Sequence, residues 1–171
     1  FNLTRLKADK KWELYNAGVV SLNDIPDDYP LSANQQIQVQ AEKQQESIIE
    51  KAHLTDFVSK LSYPLHFLDY ETINPAIPMF DGTKPYEQIP FQYSLHVQNK
   101  SDTKCAHHEF LAATNGTDPR EEFILQLIAD CGTEGDILVY NIGFERGKTE
   151  QLARQFPNFS QELLAICDRM V

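Results

Sequence analysis

Asp69 and Glu71 flank Tyr70 at the end of the apolar run Pro64-Leu65-His66-Phe67-Leu68. In a strand, side chains two positions apart point to the same face. Two ionised carboxylates held side by side repel each other. A cation between them removes that cost, and hard ions such as Mg²⁺ or Mn²⁺ prefer oxygen donors. The pair therefore predicts a divalent-cation site. Taken alone, it also fits a strand that simply runs out into a polar loop. A second segment, Val139-Tyr140-Asn141-Ile142-Gly143-Phe144-Glu145, reads as an apolar strand, a turn at Asn141 loosened by Gly143, and a helix opening near Glu145. A carboxylate at a helix start also suits the helix dipole without any further role.

Other residues are candidates for substrate contact. Thr72 follows the carboxylate pair and can hydrogen-bond beside it. Gln92 either faces the polar end of the first strand or is an outward polar position in an alternating strand. The segment from Tyr86 to Pro90 is expected to form a loop over the site, where Tyr86 can stack on bases. His107 and His108 adjoin in a strand and face opposite sides, so they do not share an ion easily. One is expected to face solvent and the other to pack, with His96 on a neighbouring strand and His66 in the core. No nucleophile elbow, phosphate-binding loop or dinucleotide fingerprint occurs.

Three regions position these residues. Residues 1–30 read as a short helical appendage. Leu6, Trp12, Leu14 and Tyr15 recur at helical spacing before Gly18, and Ser21 caps a second short turn. Helix, glycine turn and short helix also suit a helix-hairpin-helix module. Residues 31–61 read as a helical connector starting at Ala33, with an apolar stripe of Ile37, Ala41, Ile48, Ile49 and Ala52. Residues 62–171 carry the chemistry. Strands are predicted near 64–70, 90–97, 106–111 and 136–140. A helix is capped by Asp118 with Pro119 at its first position. Further helices span 144–156 and 159–167, and a fifth strand begins at Met170-Val171.

The bulk composition is that of a globular domain: of 171 residues, 42% are hydrophobic and 23% charged. No apolar run approaches the roughly 20 residues of a membrane helix. No signal peptide is visible, and Cys105, Cys131 and Cys167 have no C-x-x-C spacing, so a reduced cytoplasmic setting is expected. A net charge of −10 argues against a generic nucleic-acid binder, though not against an enzyme whose carboxylates hold cations. Phe1 and Val171 both look like cut ends.

Asp69-Tyr70-Glu71 together with Tyr140-Asn141-x-x-Phe144-Glu145 resembles the first two motifs of the DEDD superfamily of 3′–5′ exonucleases. The strand and helix order matches the ribonuclease-H-like fold of that superfamily. Residues 66–171 are also similar to a bacterial family assigned to it, through Phe67-Leu68-Asp69-Tyr70-Glu71-Thr72, the segment Pro85 to His96, and Asp118-Pro119-Arg120. The resemblance implies an α/β fold: a ribonuclease-H-like mixed sheet flanked by helices, truncated before its fifth strand and last helix. It implies two Mg²⁺ or Mn²⁺ ions held by Asp69, Glu71 and Glu145, with Asn141 and Phe144 on the substrate side. Glu145 stands where the superfamily usually has Asp. A fourth carboxylate and a general base are expected beyond Val171, so this chain is expected to be inactive alone. The implied partner is DNA or RNA, and members often carry an upstream RecB-type nuclease domain. The competing reading is a non-catalytic nucleic-acid-binding or scaffolding module.

Overall fold

In the computed structural model, residues 2–101 and 103–171 are described. The chain divides into two compact units, Phe1–Val58 and Ser59–Val171. Residues 31–58 thus group with the first thirty residues, where the sequence suggested a separate connector. No helix among the described residues is long and apolar enough to cross a membrane.

The first unit holds α1 (Ala8–Asn16), a 3₁₀ turn (Leu22–Asp24) and α2 (Ala33–Gln44); α3 (Lys51–Ser59) runs across the boundary. Ser21 Oγ accepts from Asn23 N at 3.3 Å, and Gln35 Oε1 accepts from Ser32 N at 2.9 Å, which sets the starts of the turn and of α2. The small core is Leu3, Ile25 and Val39. The expected stripe is not the buried face. Ile37 is 43% exposed and Ile49 60% exposed, while Gln35 and Val39 are buried. Gln35 is affordable inside because its amide also donates to Thr4 O at 2.9 Å. Trp12 and Tyr15, expected on the packed side of α1, are exposed, and Leu14 alone is buried there.

In the second unit, period-2 alternation produces β1 (Leu65–Ile73), β2 (Ile89–Gln98) and β3 (Ala106–Leu111), joined antiparallel; β4 (Ile137–Val139) adds parallel to β1. The sheet order is β3-β2-β1-β4, a mixed four-stranded sheet. Met170 bridges Ile137 in parallel at the outer edge of β4, so a further extended segment starts where the sequence predicted one. Leu68, Tyr70, Tyr93, Leu95 and Phe110 face the core. There they meet Phe123, Ile124 and Leu127 of α4 (Arg120–Cys131), Leu152 of α5 (Ile142–Gln155), and Leu163 and Ile166 of α6 (Ser160–Asp168). Phe123 packs edge-on against Tyr70, Tyr93 and Phe110.

The helix starts depart slightly from expectation. Pro119 is the cap rather than the first helical residue, and the Asp118 carboxylate accepts from Arg120 N at 3.1 Å. α5 begins two residues earlier than predicted, because Asn141 O already accepts from Phe144 N at 2.8 Å. Before β4 the chain passes so close to β1 that a Cβ on Gly135 would stand 1.9 Å from Pro64 O, and its φ is +77°.

His66 is core, as expected, at 3% exposure. Burial holds its pKa below the ordinary 6.5, and the Arg169 charge adds to the effect. The unfolded chain then takes up this proton more readily than the folded one. The contribution is fully present above pH 6.5 and is lost as pH falls through the lowered folded value. The thermal midpoint should therefore drop between pH 7.5 and 5, and a His66→Gln variant should drop less. Equal slopes in the two proteins would refute this.

Candidate active site

Asp69 and Glu71 lie on one face of β1 and are exposed, with buried Tyr70 between them on the other. Across the sheet, Asp69 pairs with Ser94 and Glu71 with Gln92, and a bulge follows Glu71. Gln92 therefore shares the carboxylate face. Thr72 lies just past the bulge, opposite Pro90, and is half-buried. A groove of about 420 Å³ opens on this face, lined by Phe67, Asp69, Ser94, His96, Leu138 and Tyr140.

Glu145 lies in the first turn of α5 and is only 3% exposed, although it is a carboxylate. Its Oε2 is buried and has no hydrogen-bond partner. Burial raises its pKa, and the negative charge of Asp69 raises it further, against the opposing pull of backbone N–H groups. The two carboxylates are thus within electrostatic reach. A buried carboxylate with an unused oxygen, facing a second negative charge, is costly unless something positive joins them.

One short chain of hydrogen bonds fixes this arrangement. Tyr70 Oη bonds Thr149 Oγ1 at 3.1 Å, and Thr149 Oγ1 donates to Glu145 O at 2.8 Å. The residue between the two strand carboxylates thereby ties the first turn of α5 to β1. Sequence reading gave Tyr70 no part in this arrangement.

Asp69 is the acidic side chain whose charge acts on Glu145; Glu71 exerts no such effect. Among the described residues no three of His, Cys, Asp and Glu stand close enough to enclose one ion. Asn141 is exposed at the cap of α5, near the site. Phe144 is half-buried against the core, with Lys148 Nζ 5.9 Å from its ring centroid, so its ring is engaged inward.

Tyr86 is 70% exposed and held at φ +59°, with its N–H on Pro75 O at 2.9 Å. The loop carrying it is fastened to α5 by Glu87, whose Oε1 accepts from Gln151 at 2.7 Å and Gln155 at 2.5 Å. Those residues lie six and ten positions past Glu145, roughly 9 and 15 Å along the helix. Tyr86 is thus anchored beside the middle and far end of α5, not beside the Glu145 turn.

Sequence reading gave Arg120 a place in the family resemblance but no role. It is 4% exposed and forks onto Asp118, with Nε 2.9 Å from Oδ1 and Nη2 2.5 Å from Oδ2. It also donates to Asp81 O at 3.1 Å and to Gln155 at 3.2 Å, and lies over the Phe156 ring at 5.2 Å. The available signal was a cation in the first turn of a helix, where the dipole disfavours one.

These features define an α/β domain with a four-stranded mixed sheet flanked by helices, in which Asp69 of β1 acts electrostatically on the buried Glu145 of α5. The chain belongs to the family described as a domain of unknown function, DUF2779, whose profile matches residues 66–171. No curated protein and no solved structure matches it.

Proposed function

We propose that the second unit is a metal-dependent nuclease domain of the ribonuclease-H-like type, acting as a 3′–5′ exonuclease on DNA or RNA. The observation that carries this reading is Glu145, buried with one oxygen unpartnered and within electrostatic reach of Asp69 in the middle of β1. The sheet order β3-β2-β1-β4, with only β2 running against β1, β3 and β4 reckoned along the chain, adds support, as does the start of a parallel neighbour at Met170. The resemblance of both carboxylate motifs to the DEDD superfamily supports it further.

The donor set fits hard divalent cations in chemistry: every candidate oxygen is a carboxylate. Asp69 and Glu145 would hold Mg²⁺ or Mn²⁺ between them, and Glu71 would join by a side-chain swing on the exposed face of β1. Bound there, such ions activate water and stabilise the leaving 3′ oxygen. The chain's own part is to hold the first turn of α5 to β1, through the Tyr70–Thr149 bond and the bond from Thr149 to the Glu145 backbone carbonyl, and to offer the groove beside Asp69 to a strand end.

The test is hydrolysis of 3′-labelled and 5′-labelled single strands with Mn²⁺, by a chain extended past Val171, where the resemblance places the last carboxylate and base. Shortening from the 3′ end that disappears in Asp69→Ala is expected. Activity retained in Asp69→Ala would overturn the site. A folded extended chain that binds single strands without cutting them would favour a binding module instead.

A further inference from the structure

His96 of β2 and His107 of β3 are directly paired across the antiparallel ladder. Both are exposed, on the sheet face that carries Asp69 and Glu71. Their rings stack with centroids 4.4 Å apart and an interplanar angle of 23°. We propose that His96 and His107 form a two-imidazole site for a first-row transition-metal dication of the Zn²⁺, Ni²⁺ or Cu²⁺ class.

Directly opposed residues of an antiparallel pair hold their Cβ atoms about 4.5–5.5 Å apart. Two imidazoles rooted there reach one ion at about 2.0–2.1 Å per nitrogen after small side-chain rotations. The sheet supplies the pre-organisation, since the two backbones are already fixed by ladder hydrogen bonds. Ser94 Oγ lies 3.1 Å from His107 Nε2, so this nitrogen has a partner and Nδ1 is left as the ligating atom. A ligating histidine whose other nitrogen is held in this way has its ring orientation fixed. His108, on the opposite face, is already placed against Asp130, with Nδ1 3.2 Å from Oδ1. Adjacent histidines were not expected to share an ion, and the structure pairs one of them with a histidine on the next strand instead.

The site differs in kind from the one at Asp69 and Glu145. Imidazole nitrogens select Zn²⁺, Ni²⁺ and Cu²⁺, whereas carboxylates suit Mg²⁺ and Mn²⁺. Among the described residues no third His, Cys, Asp or Glu closes the coordination. The ion would keep open positions toward solvent, as exchangeable sites do rather than structural ones. It would also place positive charge on a face that carries Asp69, Glu71 and Glu109. The proposal does not depend on nuclease activity.

Isothermal titration of the 171-residue chain with Ni²⁺, and separately with Zn²⁺, tests it in a non-chelating buffer. A binding step of one ion per chain, distinct from any at Asp69 and Glu145, is expected, with its affinity lowered at least tenfold in both His96→Gln and His107→Gln. His53→Gln and His108→Gln should bind as the unaltered chain does. Circular dichroism checks that each variant is folded. Binding that survives in both His96→Gln and His107→Gln, or no binding by the folded unaltered chain, would overturn the proposal.

Discussion

Replacing Glu145 by Gln is expected to make the protein more stable and the proposed enzyme inert. The carboxylate is buried, one oxygen has no partner, and Asp69 adds a like charge. A buried polar group left unsatisfied costs on the order of 1–3 kcal/mol. Gln keeps the shape and removes the charge, so a gain of about 1 kcal/mol is expected at neutral pH. For a unit of this size that is about 4 °C in thermal midpoint. Mn²⁺-dependent hydrolysis by the extended chain should fall by two orders of magnitude or more, which corresponds to roughly 3 kcal/mol of transition-state stabilisation. The opposite signs are the diagnostic. A purely structural Glu145 would lose stability on substitution, and a midpoint lowered by Glu145→Gln would contradict the site.

Arg120→Ala should produce the largest loss of stability. One guanidinium joins Asp118, Gln155, the Asp81 carbonyl and the Phe156 ring, and so holds the loop after β1, the start of α4 and the end of α5 together. Breaking one partner of a buried pair costs about 3–5 kcal/mol. Asp118 keeps partial access to water, with its side chain 34% exposed, so about 3 kcal/mol is expected. Arg120→Lys retains the charge but not the fork, and should lose about 2 kcal/mol. Urea denaturation measures both. A midpoint for Arg120→Ala that implies less than about 1 kcal/mol of loss would show that the loop and helices hold without the guanidinium.

Much of the second unit was legible in the sequence, because its strands obey one period. Tyr93 and Leu95 alternate with Ser94 and His96, and β3 falls on the predicted Ala106–Leu111. The helix between Asp118 and Gly132 was legible for its Phe123, Ile124 and Leu127 stripe, though its cap is Pro119 where Asp118 was expected. In residues 31–58 the helix start at Ala33 was legible but its buried face was not, since Gln35 enters the core by donating a hydrogen bond to Thr4 O, thirty-one residues away. Periodicity carries no information about such partners. The carboxylate pair of β1 was visible as a pattern. Glu145 was visible only by resemblance, because a Glu in a first helical turn is ordinary and its burial is a tertiary fact. The same holds for Arg120 and for the cross-strand meeting of His96 with His107, since strand register cannot be read from either strand alone.

Gly135 shows how easily loss of function misleads. With Pro64 O standing 1.9 Å from where a Cβ would go, even alanine there forces two backbone segments apart. A saturation screen scored on activity would rank Gly135 beside Asp69 as intolerant. The two part company in the cell: Asp69 variants should accumulate as soluble protein, whereas Gly135 variants should be cleared or aggregate. Measuring abundance beside activity therefore separates the residues proposed to perform chemistry from the one that lets the chain close.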